Sequence, residues 1–347
     1  MKKNWMCLLT VLCALSFFTA CSDDDDNAGK EGWKGISKTY ESSQFLNLKL
    51  GEVTLALENK SVGVNAASAD QASVTLNNII PEEAVLEIGA SLKEADGVYT
   101  LSGEKTITSS GSLSGTCTVS VEGTIQKGVL SLVVHRKVAS PATGTWKLQM
   151  ADGPDGQKVA GVYTDMVTGN AQIDAILAGL AAPLIGQKIA GKVESVTAVL
   201  GTDGIFSASW KPAGAAEEVN IAEYTNALSI QYCVIDGRVM IAVDKAYISL
   251  LSLLNGKLEA YGISLDDITA LMVDLGGYYA LPVEMKNEGD KATFYLTKTT
   301  VVPVVQMVAP IVTPLLPEAY QKFVPTILQL LPNVQTLDFG LIFWRAN

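Results

Sequence analysis

Histidine is almost missing: His135 is the single one among 347 residues. Any serine or cysteine nucleophile that depends on imidazole would have to use it, and its place at the end of an apolar run, beside Arg136 and Lys137, reads as a surface strand end. No Gly-X-Ser-X-Gly elbow, phosphate-binding loop or zinc-protease helix occurs, and neighbouring acids such as Glu82-Glu83, Glu217-Glu218 and Asp266-Asp267 point to different faces of any element that carries them. Cysteine is scarce as well. Of five, Cys7 and Cys13 lie in the first 20 residues and Cys21 just after them, so Cys117 and Cys233 alone remain in the body. Two distant thiols and one histidine build neither a disulfide framework nor a zinc cluster, so buried free thiols or a single inter-domain bridge are the readings left. Asp152-Gly153-Pro154-Asp155-Gly156 lacks the ligand spacing of a calcium loop and reads as a tight turn. No cofactor or metal is expected, and the chain reads as a non-enzyme.

Uninterrupted apolar length is also short. The run from Met6 to Phe18 has thirteen residues, against roughly 20 for a spanning helix. Following Lys2 and Lys3 and preceding Thr19 and Ala20, it reads as a secretory signal over residues 1–20. Phe18-Thr19-Ala20-Cys21 resembles the lipobox of bacterial lipoproteins, which implies cleavage before Cys21 and acylation of that residue. Ser22, Asp23, Asp24, Asp25 and Asp26 come next. The run resembles the surface-export signal of lipoproteins in gut-dwelling Gram-negative anaerobes, and otherwise serves as a solvated spacer within an acidic tether, 21–39. The resemblance implies an outer-membrane, lipid-anchored protein facing the cell exterior. Removing residues 1–20 takes away two lysines and no acids, moving the formal charge from -11 to -13, a poor surface for nucleic acid.

Alternating apolar residues punctuated by turns run from Phe45 to Val138, among them Val98 to Leu101, Cys117 to Val121 and Val129 to Val134, with turns at Asp96-Gly97 and Gln126-Lys127-Gly128. This predicts an all-β barrel or sandwich over 40–139. A second domain, 143–347, is predicted as α+β, with strands such as Val193 to Leu200, Ile205 to Trp210, Val239 to Val243, Tyr278 to Lys286 and Leu337 to Trp344. Apolar helices are placed at 170–190, 246–275 and 303–332. The first shows Ile173, Ile176, Leu177, Leu180 and Leu184 on one face, and the second has Ser264 as N-cap and Gly276 as stop. From Val301 to Pro332 only Glu318 and Lys322 are charged, and six prolines divide the stretch, so it reads as core helices, as a greasy lid over a barrel mouth, or as membrane-inserted. The segments beginning Asp96-Gly97 and Gly128 are matched in residue class and spacing by those beginning Asp203-Gly204 and Gly237, which suggests a duplicated barrel.

With its Leu-Ser-Gly, Val-Ser-Val-Glu-Gly and Gly-Val-Leu-Ser-Leu-Val-Val stretches at 101–103, 119–123 and 128–134, the chain resembles the calycin-like β-barrel lipoproteins of these anaerobes, a family of unassigned function. The resemblance implies two mainly β, lipocalin-like antiparallel barrels, the second with helical insertions. It also implies that Gly144-Thr145-Trp146 opens the second barrel and that Arg345 on the last strand packs over Trp146 as a structural closure. The expected function is binding of an apolar or amphiphilic small molecule, lipid-like or bile-acid-like, in a barrel cavity. The alternatives are a glycan stacked on Trp146, Trp210 or Trp344, or an envelope protein partner with no small ligand. Residues lining a pocket, and the oligomeric state, are not legible.

Overall fold

The computed structural model describes residues 32–153, 156–169, 171–221, 230–248, 264–315, 318–322 and 324–346. Cys21 and the acidic run Ser22 to Asp26 lie outside them. The chain is mainly β, arranged as a curled half-barrel sheet and a second, antiparallel sheet with a few helices.

The first sheet contains β1 (Lys38–Tyr40), β2 (Leu46–Leu50), β3 (Val53–Thr54), β4 (Ser61–Ala66), β5 (Gln71–Asn77), β6 (Val85–Ala95), β7 (Val98–Ser109), β8 (Gly115–Gln126) and β9 (Val129–Ala139). Its order is β1-β4-β5-β6-β7-β8-β9-β2-β3, a meander in which only β2 pairs in parallel, with β9. Residues 41–45 join β1 to β2 at opposite ends of that path, so the covalent chain curls the sheet upon itself. Alternation decides what faces inward. Leu46, Leu48, Val62, Val64, Val74, Leu76, Leu86, Ile88, Val119, Val121, Leu130, Leu132 and Val134 are all at most 3% exposed and fill the interior. The hairpin turns Asp96-Gly97 and Lys127-Gly128 have both residues at positive φ, which matches the strand twist. Strands β1, β4 and β6 escape sequence reading because β1 is short and Gly63, Gly89 and Ala90 dilute the apolar alternation of the others.

The second sheet contains β10 (Gly144–Leu148), β13 (Val162–Val167), β14 (Val193–Leu200), β15 (Phe206–Pro212), β16 (Val219–Asn220), β17 (Gln231–Ile235), β18 (Arg238–Asp244), β19 (Val273–Asp274), β20 (Tyr278–Asn287), β21 (Lys291–Leu296) and β22 (Thr336–Arg345), while β11 (Met150–Asp152) and β12 (Lys158–Ala160) form a separate hairpin. Its main path is β15-β14-β10-β22-β21-β20-β18-β17. An Ile205–Gln231 bridge, with Phe206 N–H donating to Ile230 O and Tyr232 N–H to Gly204 O (both 2.8 Å), brings β17 back to β15. The result is an eight-stranded, up-and-down ring in chain order. The segments of similar class belong to the successive triples β7-β8-β9 and β15-β17-β18; the two sheets differ in strand number and in the parallel β2–β9 pair of the first.

The helices depart from expectation in detail. Helix α1 (Ala171–Ala190) forms, but Leu184 is 58% exposed, so the proposed apolar stripe does not end in a buried residue; the side chains of Ile173, Ile176, Leu177 and Leu180 lie outside those described. No single helix fills the described part of 246–275. Ser264 caps only α2 (Leu265–Thr269), through a reciprocal box with Asp267, and the chain then turns into β19, which pairs with β20. The third stretch begins earlier than expected, as α3 (Lys298–Val312), and runs through Pro303 and Pro310. It breaks only afterwards, into α4 (Glu318–Gln321), α5 (Val324–Leu330) and a short turn of helix at Leu331–Asn333. No described helix is long and apolar enough to cross a membrane.

The two sheets share one continuous apolar core rather than two separate ones. Polar groups lock the junction. Arg136, fully buried on β9, donates to Gln231 Oε1 (2.6 Å), Tyr232 O (2.8 Å) and Gly204 O (3.4 Å), and pairs with Glu82. Gln231 Nε2 donates to Tyr278 Oη (3.1 Å), which donates to Ile79 O (2.6 Å). A second pair, Lys60–Asp244, spans 2.7 Å with side chains 0% and 1% exposed. Gly111 and Gly237 pack backbone to backbone at the same junction, where a Cβ on Gly111 would lie 2.8 Å from Gly237 Cα.

Candidate functional site: an apolar cavity in the second barrel

Inside the second ring is a cavity of about 300 Å³. Strand alternation builds it: Ala198 and Leu200 from β14, Phe206 from β15, Val239 and Ile241 from β18, Val283 from β20, Phe294 and Leu296 from β21, and Phe339, Leu341 and Phe343 from β22. Tyr295 and Gly340, from the alternate rows of β21 and β22, border it. Phe294 and Phe343 meet edge to face at 5.6 Å. With aliphatic and phenyl walls, the space offers dispersion and desolvation but no hydrogen-bonding anchor for a charged group.

Trp146 closes one end. It is fully buried, its Nε1–H donates to Ala142 O (2.8 Å), and its ring meets Phe294 at 5.7 Å. Arg345, opposite it in register, lies 4.3 Å over the ring and donates to Thr143 O (2.8 Å) and Pro141 O (2.9 Å). Gly144 makes room: a Cβ there would stand 2.6 Å from Arg345 Nη1. At the other end Leu296 and Phe339 line the cavity and also pack against the cluster of Val301, Val302, Leu331, Val334 and Leu337. The helices of the 298–333 segment therefore lie over this mouth, pinned where Lys298 Nζ donates to Val334 O (2.5 Å).

Other residues of interest fall elsewhere. His135 is exposed within β9, which runs on to Ala139, so it is not at the strand end. Its neighbour Arg136 is the residue that sequence reading passed over, although the alternation Leu130, Leu132, Val134, Arg136, Val138 places it inward. Cys117 and Cys233 are free and buried. Burial, then the Glu82 charge, pushes the Cys117 thiol up to about 12, and burial first raises Cys233 well above its ordinary value. Trp344 is 46% exposed on the outer wall, Trp210 is half-buried on β15, and Trp146 is enclosed, so no common stacking platform joins the three. Gly153 N–H bonds Gln157 O (2.7 Å) in the β11–β12 turn, whose Pro154 and Asp155 lie outside the described residues. No group of three metal-ligating side chains occurs among the described residues.

On the outer wall, Lys286 Nζ donates to Tyr163 Oη (2.5 Å) and lies over the Tyr163 and Tyr295 rings. Asp338 stands directly opposite Asp165 in the β13–β22 register. Burial, then the Asp165 charge, holds the Asp338 carboxyl above its ordinary value of 3.8, with Lys286 opposing. The native carboxyl thus binds its proton more tightly than the unfolded chain does, so the native state is penalised above both values and unpenalised below the unfolded one. Asp338→Asn is expected to raise the denaturation midpoint at pH 7 and to leave it unchanged near pH 3. An equal gain at both would assign the effect to hydrogen bonding rather than charge.

Comparison with protein families, curated proteins and solved structures returns no match.

Proposed function

We propose that this chain is a non-enzymatic lipoprotein, anchored through acyl chains on Cys21 at the outer cell surface, whose second barrel holds an apolar or amphiphilic small molecule. The observation that carries the binding reading is the cavity of about 300 Å³, apolar throughout and overlain by apolar helices. The calycin-like resemblance is part of the proposal, supported by the eight-stranded meander and by Arg345 over Trp146.

Size narrows the ligand. A dry cavity of about 150 Å³ takes up benzene, so one twice as large suits two fused rings or an acyl tail of roughly ten carbons. A hydroxylated four-ring compound of the bile-acid kind exceeds it, and each enclosed hydroxyl would lack a partner at a cost of about 1–3 kcal/mol. A tail is the better fit. The glycan alternative is disfavoured by the dispersed tryptophans, and no specific feature favours a purely structural partner.

The direct test is native mass spectrometry of residues 29–347 before and after organic extraction. A discrete mass that extraction removes supports a carrier. A clean apoprotein mass that is unchanged on incubation with fatty acids overturns it. Val283→Phe, which fills the cavity from β20, is expected to weaken fatty-acid binding at least about tenfold while the fold persists, because overpacking costs only about 1–3 kcal/mol. Binding unaltered in that variant would place the ligand elsewhere.

A further inference from the structure

Strand β22 marks depth in the second barrel. Successive residues of one face run from Leu337, packed in the helix-covered cluster at the mouth, through Phe339, Leu341 and Phe343, which line the cavity, to Arg345, which lies over Trp146. Phe343 is the last of the row to line the cavity. It is buried, and it lies about 13 Å along the strand from Phe339. Its ring is held in place from the side. Phe294 meets Phe343 edge to face at 5.6 Å and Trp146 at 5.7 Å, so one intervening ring joins Phe343 to the closure. In register Phe343 is flanked by Ala292 of β21 and Leu148 of β10, both buried as well.

We infer that Phe343 is the floor of the cavity and sets the length of the acyl tail that it accepts. The inference rests on the carrier reading of this cavity. A charged head group finds no partner among the aliphatic and phenyl walls, and burying it unpaired is costly, so it stays at the mouth and the tail enters first. The tip of the tail then meets Phe343. Methylenes beyond that length remain outside the mouth, where they bury no surface and add no affinity. Affinity therefore rises with chain length up to about ten carbons and levels off beyond them. The floor fixes where that break falls, whereas a residue at the mouth, such as Phe339, affects tails of every length alike.

The test titrates straight-chain fatty acids from octanoate to hexadecanoate into residues 29–347, which include every described residue, and reads affinity against chain length by calorimetry. Phe343→Ala takes a ring the size of benzene out of the floor. It is expected to move the break to about fourteen carbons and to tighten tetradecanoate at least about tenfold. Phe339→Ala makes the same truncation at the mouth and is expected to leave the break in place. Should Phe343→Ala not fold, Phe343→Leu is the smaller truncation, expected to move the break by about two carbons in the same direction. An unmoved break in the Phe343 variant that folds, or an equal move in Phe339→Ala, overturns the role of Phe343 and leaves the carrier standing. A parent chain that binds none of these acids overturns the carrier reading, and the inference with it.

Discussion

Arg136→Met is expected to lower the unfolding free energy by about 3–5 kcal/mol, the cost of leaving a buried charge without its partner. The Arg136 side chain is fully buried and that of Glu82 is 5% exposed, so water cannot solvate the carboxylate left behind. Burial by itself favours loss of the Arg136 proton, but the Glu82 charge more than offsets it and raises the guanidinium's proton affinity. Three further bonds cross to the second barrel, to Gln231 Oε1, Tyr232 O and Gly204 O. The double variant Arg136→Met, Glu82→Leu separates charge from bonding. Recovery of most of the lost stability in denaturant titrations would show that the orphaned carboxylate carried the cost. No recovery would assign the junction's strength to the three bonds instead.

Trp146→Ala is expected to cost about 3–5 kcal/mol, the range for removing a fully buried large aromatic. It removes the bond to Ala142 O, the edge contact with Phe294 and the surface on which Arg345 rests. Because Phe294 lines the cavity, the variant is also expected to alter fatty-acid binding, which calorimetry reads directly. Trp344→Ala, next to Arg345 but half exposed, is the matched control and should stay within about 0.5 kcal/mol of the parent. If the two tryptophan variants lose equal stability, the closure is not a keystone of the barrel. Arg345→Lys keeps the charge but loses the fork that reaches two carbonyls, and an intermediate loss is expected.

Turn chemistry and the strongly alternating strands were legible because both are local, whereas β1, β4, β6 and β13 were not. Two residues at positive φ in Asp96-Gly97 or Lys127-Gly128, flanked by alternating apolar residues, leave few conformations open. Helix limits were less so. Ser264 and Gly276 were read as the two ends of one element, but β19 found a partner in β20 and took the residues between. Pro303 was read as a break, yet it lies near the start of α3, where packing of Val301 and Val302 onto Leu337 offsets the lost backbone bond. Leu184 was placed on a buried face by spacing alone, and spacing does not say whether anything lies against that face.

By itself the sequence determined the β class, the hairpin turns and the lipobox-like Cys21, since each depends on residue type at short range or on a compact motif; Arg345 over Trp146 came only as what the calycin-like resemblance implies, and the structure shows the guanidinium 4.3 Å over the ring. Only the tertiary structure decided the cavity and the junction. Cavity walls come from six strands spread between Ala198 and Phe343, and the same Val, Leu and Phe alternation lines a filled interior or an open one. Whether space remains depends on how the strands close into a ring, here through the Ile205–Gln231 bridge. The buried charge pairs at the junction, Arg136–Glu82 within the first barrel and Lys60–Asp244 across to the second, join residues 54 and 184 positions apart, and no local pattern announces them.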